Sequence, residues 1–213
     1  MKFRFNVMLI LYALIILSGC ATSGYERGLP KQDISSLPAK TPKMRIAVIG
    51  FDVHAYHYGV ERIADRAEEM LTMALLKTRH FDLVERRHIK RVLEEQKFQV
   101  SGMVDPMTAV KLGKILGVQA IVTGAVTEVG FSAASFIVNI PSCRASIDVR
   151  VIDVETAKVI AAETGDGRSS ATIGGDVRSA LGKKDAELWI SEALRKASED
   201  AAYKIVINMS NVR

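Results

Sequence analysis

Cys20 is the first residue of the sequence whose type and surroundings suit a covalent modification. It follows Leu17-Ser18-Gly19 at the end of a mostly apolar run, residues 5–17, and the run is preceded by Lys2 and Arg4. A short basic head and an apolar region of this length are typical of a secretory signal peptide. The run is shorter than the roughly 20 apolar residues that a membrane-spanning helix needs. Small residues before the thiol suit cleavage on its N-terminal side, and the thiol itself can form a thioether.

The tetrapeptide Leu17-Ser18-Gly19-Cys20 resembles the lipobox of bacterial lipoproteins. The resemblance implies that residues 1–19 are removed as a signal peptide and that Cys20 becomes the acylated first residue, anchored to a membrane by lipid. Each buried acyl CH₂ contributes about 0.8 kcal/mol, so two or more chains make a stable anchor. Ala21 stands where an aspartate would retain an enteric-type lipoprotein in the inner membrane, which implies the outer membrane. An ordinary signal peptide or an uncleaved anchor is the alternative.

Two other groups of residues resemble ligand sites. Asp52, His54 and His57 lie close together in sequence, but histidines three apart in an extended loop point in different directions, and we expect no metal site. The segment Gly165-Asp166-Gly167-Arg168-Ser169-Ser170 lacks the Gly-Lys-Ser/Thr that opens a helix in a phosphate-binding loop. We expect its glycines to end a strand and to enter a polar loop, and we expect no cofactor.

No serine–histidine–acid or cysteine–histidine set stands out in the sequence. Glu128 and Asp148 are expected to be charges on a strand surface rather than paired catalytic carboxylates. Because acylation of Cys20 leaves Cys143 without a partner in the chain, we expect Cys143 to be buried, with pairing between chains as the alternative. The sequence therefore predicts a protein without enzymatic activity.

The charge of the chain limits the class of partner, and its length limits the number of domains. The formal net charge of +5 falls to +3 once Lys2 and Arg4 leave with the signal peptide, and basic and acidic residues are interleaved, as in Glu85-Arg86-Arg87. We therefore expect no nucleic-acid partner. Residues 44–213 are long enough for one domain with a sizeable core.

Glycine and proline are frequent in residues 20–43, which predicts a lipidated, flexible tether before a globular domain at 44–213. The spacing of apolar residues predicts strands over Met44–Phe51, Phe81–Val84, Ala120–Val126, Ala145–Val154 and Lys158–Thr164. It predicts helices over Val60–Leu76, around Ile89–Leu93, between Asp105-Pro106 as N-cap and Gly117 as C-terminal stop, and over Ala186–Ile207. The order β-α-β-α-α-β-β-β-α indicates an α/β (α+β) fold, with a mixed β-sheet of about five strands packed with helices.

Six blocks of residues, in order and with similar gaps, resemble the CsgG-like family of curli-secretion lipoproteins. These blocks are Arg45-Ile46-Ala47-Val48, Met70–Leu75, Phe81–Arg86, Val92–Gln96, Gly117–Gly124 and Val151–Thr156. The resemblance covers most of residues 44–207. It implies a CsgG-like periplasmic domain, a homo-oligomer whose copies pack side by side, and other envelope or secretion proteins as partners in curli-type assembly.

The sequence departs from the family pattern at two points. Ala157 stands where family members usually have glycine, since the turn favours a positive φ. Subunits of the curli channel each contribute two hairpins that cross the membrane, and a crossing strand needs ~9–11 residues. Here only residues 130–144 and 170–185 are available for them, and we expect both segments to be too short.

The loop after the first strand contains Tyr56, His57 and Tyr58. In the curli channel the corresponding loop forms an aromatic constriction, so the resemblance implies that these three residues face the axis of a ring. A solvated loop whose tyrosines cover the sheet edge is the alternative.

We therefore expect a non-enzymatic outer-membrane lipoprotein that faces the periplasm and acts by protein binding in envelope assembly or secretion. Two alternatives stay open. One is a subunit of an oligomeric curli-type secretion channel. The other is a lipoprotein activator of peptidoglycan synthesis, a role taken by lipoproteins with a related fold and a similar tether.

Overall fold

The computed structural model describes residues 33–54, 63–96, 104–134, 140–170 and 183–211. These residues form five strands: β1 (Met44–Val53), β2 (Phe81–Leu83), β3 (Ala120–Ala134), β4 (Ile140–Asp153) and β5 (Val159–Ser170). They also form four α-helices: α1 (Ile63–Lys77), α2 (Arg86–Glu95), α3 (Pro106–Leu116) and α4 (Lys183–Asn211). A short 3-10 turn, Ile34–Ser36, precedes β1. No helix in this part of the chain has the length and apolar character needed to cross a membrane.

The strands form one mixed sheet in the order β2-β1-β3-β4-β5. Strand β1 pairs in parallel with both β2 and β3, whereas β3, β4 and β5 form an antiparallel meander. The predicted order of elements and the predicted mixed sheet of five strands are confirmed. Strand directions bring the start of β1, the start of β5 and the end of α1 to one end of the sheet.

Helices cover the sheet on both faces. Helices α1 and α4 pack on the face to which β4 contributes the alternating residues Cys143, Ala145, Ile147 and Val149. Helices α2 and α3 pack on the opposite face, over a smaller cluster that includes Ile121, Ile152 and Val154 from the strands. The predicted burial of Cys143 is confirmed, because its side chain is fully buried in the first of these clusters.

Helix α3 begins and ends at the residues that the sequence indicated. The carboxylate of Asp105 accepts hydrogen bonds from the backbone N–H groups of Met107 (3.0 Å) and Thr108 (3.1 Å), which otherwise have no partner in the first helical turn. Gly117 ends the helix in the left-handed conformation, with φ 64°.

Strands β3 and β4 extend further than the sequence predicted. Their pairing continues to Ala134 opposite Ile140, so residues 130–134 and 140–144 are strand rather than a link between strands. A shift of register between Val126 and Glu128 interrupts the alternation of apolar and polar residues in β3. The alternation that identifies a strand in a sequence is therefore lost at the predicted end of β3.

The glycine-rich segment 165–170 is part of β5, and the prediction of a polar loop there was wrong. Helix α4 crosses this strand at very short range, along a surface formed by Ala193, Ala197 and Ala201. A Cβ atom at Gly165 would lie 2.7 Å from the Cβ of Ala201, and one at Gly167 would lie 2.5 Å from the backbone nitrogen of Ala197. The two glycines are needed because a helix approaches the strand, not because the chain turns.

The turn between β4 and β5 has the backbone conformation that favours glycine. Ala157 has φ 58°, in the left-handed region, and its N–H donates to the carbonyl of Asp153 at 3.0 Å. The carboxylate of Asp153 accepts bonds from the N–H (2.7 Å) and the hydroxyl (2.6 Å) of Thr156. These bonds hold the turn despite the alanine.

Part of the predicted tether packs on the domain. Ile34 and Leu37 are each only 6% exposed and belong to the core cluster under α1 and α4. The described structure of the domain therefore includes Asp33–Leu37, which precede the predicted start at Met44.

Candidate functional site

The residues that the sequence singled out for function fall in two groups. Cys20, Tyr56, His57 and Tyr58 lie outside the described residues, so the predicted lipidation site and ring-axis loop stay predictions. Asp52 and His54 are described: an imidazole nitrogen of His54 lies 3.2 Å from the carboxylate of Asp52, and both side chains are exposed. Across the described ranges no three His, Cys, Asp or Glu side chains are grouped as metal ligands would be.

Cys143 has no features of a reactive thiol. Burial raises its pKa to about 11, so the thiol is protonated at neutral pH and the nucleophilic thiolate is scarce. Its sulfur lies 3.8 Å from the carbonyl oxygen of Arg144 and is packed among apolar residues of the core. Cys143 therefore serves as a small core residue in this fold.

A row of polar side chains on β3, β4 and β5 forms the most distinctive surface of the domain. Helices α2 and α3 cover this side of the sheet only over Ile121, Ile152 and their neighbours. Further along the strands the same side carries polar residues, and none of the described helices packs over them. We call this surface the polar face; it consists of Glu128, Arg144, Ser146, Asp148, Arg150, Thr164, Asp166 and Arg168.

Side chains of the polar face hold one another in fixed positions. The guanidinium of Arg144 lies 3.6 Å from the carboxylate of Glu128 and 3.4 Å from that of Asp166, so it bridges β3 and β5 across β4. The hydroxyl of Ser146 donates to Asp166 at 2.6 Å. Such cross-strand pairs each contribute a few tenths of a kcal/mol and fix the direction of the charged groups.

Asp166 is the charged centre of this arrangement. Burial alone would raise its pKa, but the hydrogen bonds from Ser146 and Arg144 and the positive charges of Arg144 and Lys204 outweigh burial, and its pKa is lowered. The carboxylate therefore stays ionised throughout the neutral range. The polar face presents acidic and basic groups side by side, which suits recognition of a protein surface with complementary charges.

Helix α4 contacts the outer edge of β5 as well as its face. Backbone groups of β5 that point away from β4 are bonded to side chains of α4 instead of to another strand. The described bonds of this kind are Asp166 N–H to Asp200 Oδ2 (2.9 Å), Lys204 Nζ–H to the Thr164 carbonyl (2.7 Å) and Lys196 Nζ–H to the Arg168 carbonyl (2.8 Å).

The sequence contained part of the signal for the polar face. The alternation of Ser146, Asp148 and Arg150 with buried residues was visible in β4, and Glu128 and Asp148 are strand-surface charges as expected. Asp166 and Arg168 were missed, because the glycines beside them were interpreted as a loop. Asp166 and Arg168 lie beside Arg144 because β4 pairs with β5, and no local pattern in the sequence encodes that pairing.

A family model described as "Curli production assembly/transport component CsgG" matches residues 27–136 and 141–213. The chain belongs to the CsgG family. The CsgG match includes both the packed core and all eight residues of the polar face. No sequence among the curated proteins matches the chain.

Solved structures similar to this CsgG-family domain have low sequence identity to it. Lipoprotein GNA1162 from Neisseria meningitidis is 18% identical, with a TM-score of 0.46; the match covers 70% of this chain and 99% of that one. Hypothetical protein CT253 from Chlamydia trachomatis is 17% identical, with a TM-score of 0.49 and coverage of 79% and 96%. The PelC dodecamer from Paraburkholderia phytofirmans is 13% identical, with a TM-score of 0.40 and coverage of 78% and 93%.

Proposed function

We propose that this protein is an outer-membrane lipoprotein, anchored through lipid on Cys20 and facing the periplasm, which acts without catalysis by binding other proteins in envelope assembly or secretion. The observation that carries this proposal is the CsgG family match, which begins at residue 27, soon after Cys20, and extends to residue 213. The tetrapeptide Leu17-Ser18-Gly19-Cys20, which resembles a lipobox, supports anchoring through lipid on the cysteine.

The polar face is the surface we assign to partner binding. Helices α1 and α4 already cover the other side of the sheet, and α4 also covers the outer edge of β5. Arg150 presents an exposed guanidinium group that can form paired hydrogen bonds with a carboxylate of a partner. Self-association is part of the proposal, since the family resemblance implies copies packed side by side.

Two experiments test this function. Fractionation of cells that express the full chain should recover it in the outer membrane after a carbonate wash, whereas Cys20→Ala should be released from the membrane fraction as a folded domain. A photo-reactive amino acid at Arg150 or Thr164 should crosslink to an envelope protein or to a second copy. The same amino acid at Glu69, exposed on α1, is the matched control. Equal crosslinking from Glu69 and from the polar face would contradict our assignment of the surface.

A subunit of a secretion channel is the second candidate function. It is favoured by one observation: β3 and β4 continue in register to Ala134 and Ile140, and β5 continues to Ser170, all at the same end of the sheet. Conductance of the lipidated protein in planar bilayers is the discriminating measurement. Discrete current steps would support the channel, and their absence at high protein loading would leave the protein-binding function.

A further inference from the structure

The segment Asp33–Leu37, which we call the docked segment, joins the sequence after Cys20 to the domain. Its 3-10 turn is encoded locally, because the carboxylate of Asp33 accepts the N–H of Ser35 at 3.0 Å. In a 3-10 turn, residues three apart lie on the same side, and here these residues are Ile34 and Leu37. Both are buried in the core cluster that α1 and α4 share.

Arg79, which follows α1, also binds the docked segment. Its guanidinium donates to the carbonyl of Ser35 at 3.2 Å and to the carbonyl of Leu37 at 3.0 Å. These contacts join residues 44 and 42 positions apart in the chain. One side chain thus holds two carbonyls of a segment that lies far from it in sequence.

The backbone at Arg79 indicates that this side chain is needed there. Arg79 has φ 62°, just after the end of α1, and its N–H donates to the carbonyl of Leu76 at 3.2 Å. Glycine usually occupies such a left-handed position after a helix, because a Cβ atom is strained there. Strained residues persist where the surrounding structure requires them. At Arg79 the two hydrogen bonds to the docked segment require an arginine side chain despite the strained backbone.

Docking changes the length of chain between the lipid and the domain. From Cys20 to Asp33 there are 13 residue steps, which can span at most about 45 Å when fully extended. If the domain instead began at Met44, 24 steps would allow about 80 Å. Whether the segment is docked therefore alters the maximum height of the domain above the membrane almost twofold.

We propose that Ile34, Leu37 and Arg79 form a clamp that keeps the domain close to the membrane, and that release of the docked segment extends its reach. The clamp itself is a property of the domain. Its effect on distance rests on the proposed lipidation of Cys20.

The clamp is tested first by hydrogen exchange on the full chain in detergent. The N–H groups of Ser36 and Leu37, which donate within the turn, should be protected in the unaltered protein. Arg79→Gly removes both guanidinium bonds and relieves the strained φ, so the domain should stay folded while exchange at these two positions rises about tenfold or more. Unprotected amides before any substitution, or amides that Arg79→Gly leaves unchanged, would overturn the clamp whether or not the protein is lipidated.

The effect on distance is tested in vesicles of phosphatidylethanolamine and phosphatidylglycerol that contain an acceptor-labelled lipid. A donor dye is attached at Lys111→Cys, an exposed position on α3, and energy transfer to the membrane is measured. The pair Arg79→Gly with Leu37→Ser should lower the transfer. Leu188→Ser, at a leucine that is 67% exposed, is the matched control and should not lower it. Unchanged transfer in a variant whose docked segment exchanges freely would overturn control of distance. A chain that exchanges as expected but fails to enter vesicles would instead contradict lipidation.

Discussion

Replacement of Gly165 by alanine tests whether α4 is fixed by its close approach to β5. The new Cβ atom would lie 2.7 Å from the Cβ of Ala201 and 2.8 Å from its backbone nitrogen, and it would also contact the carbonyl of Ala197. Carbon atoms pack best at about 3.5–4.0 Å, so one side must move by about 1 Å. Two of the three contacts are with the helix backbone, so no side-chain rotation can relieve them.

The expected cost follows from what α4 buries. Leu194 and Ile205, which are fully buried, extend from α4 into the same core cluster, and displacement of the helix would loosen both. Inserted carbon atoms in a packed core destabilise by about 1–3 kcal/mol, and we expect Gly165→Ala to reach about 3 kcal/mol because the obstacle is backbone. Loss of glycine returns only about 0.4–1 kcal/mol through the unfolded chain.

Gly130→Ala is the matched control for this substitution. Gly130 also lies in a strand, but its nearest neighbour to a new Cβ atom would be the Glu128 carboxylate at 3.9 Å, an ordinary contact. We expect Gly130→Ala to be neutral or stabilising by up to about 1 kcal/mol. Urea unfolding followed by circular dichroism gives both free energies. If Gly165→Ala unfolds at the same urea concentration as Gly130→Ala, α4 does not constrain β5 as described.

Three further substitutions have calculable outcomes. Ala157→Gly should stabilise the domain by about 0.5–1 kcal/mol in urea unfolding, because relief of the left-handed φ outweighs the entropy of glycine in the unfolded chain. The control Ala162→Gly, in β5, should destabilise the domain. Ser198→Ala should raise the thermal midpoint and add about 1 kcal/mol, since the buried Ser198 hydroxyl has no hydrogen-bond partner among the described residues; lower stability would indicate a partner elsewhere in the chain. The pKa of Asp166 is lower in the folded protein than in the unfolded chain, so its carboxylate contributes stability above about pH 4 that is lost as the pH falls through the folded pKa. Asp166→Asn should therefore make the free energy of unfolding depend less on pH at acid pH.

Local patterns in the sequence predicted most of the fold. The apolar spacing of each helix and strand gave the order of elements, and Asp105 and Gly117 gave both ends of α3, because capping depends only on near neighbours. The burial of Cys143 was predicted from its lack of a second cysteine to pair with, and its place in β4 beside Ala145 and Ile147 supplies the structural reason.

The errors arose where distant residues decide the local structure. Gly165 and Gly167 look like a turn until α4 packs on them, and residues 33–37 look like a linker until Arg79 binds them. In the same way, the contact of Arg144 with Asp166 depends on the register of two strands rather than on either segment. Three of the eight residues of the polar face were therefore visible as alternation in β4, whereas the contacts that join the face across the strands depend on the pairing of the sheet.

The bonds from α4 to the outer edge of β5 restrict how copies of the domain can join. An open edge strand is a template on which another chain can add a strand, and such growth has no built-in end. Here one outward backbone group of each of three residues is bonded to α4: the Thr164 carbonyl to Lys204, the Asp166 N–H to Asp200 and the Arg168 carbonyl to Lys196. A strand added at these positions would have to displace the bonds to α4, so β5 is not an open edge there. The bonds from α4 thereby protect this edge of the domain against open-ended polymerisation by strand addition.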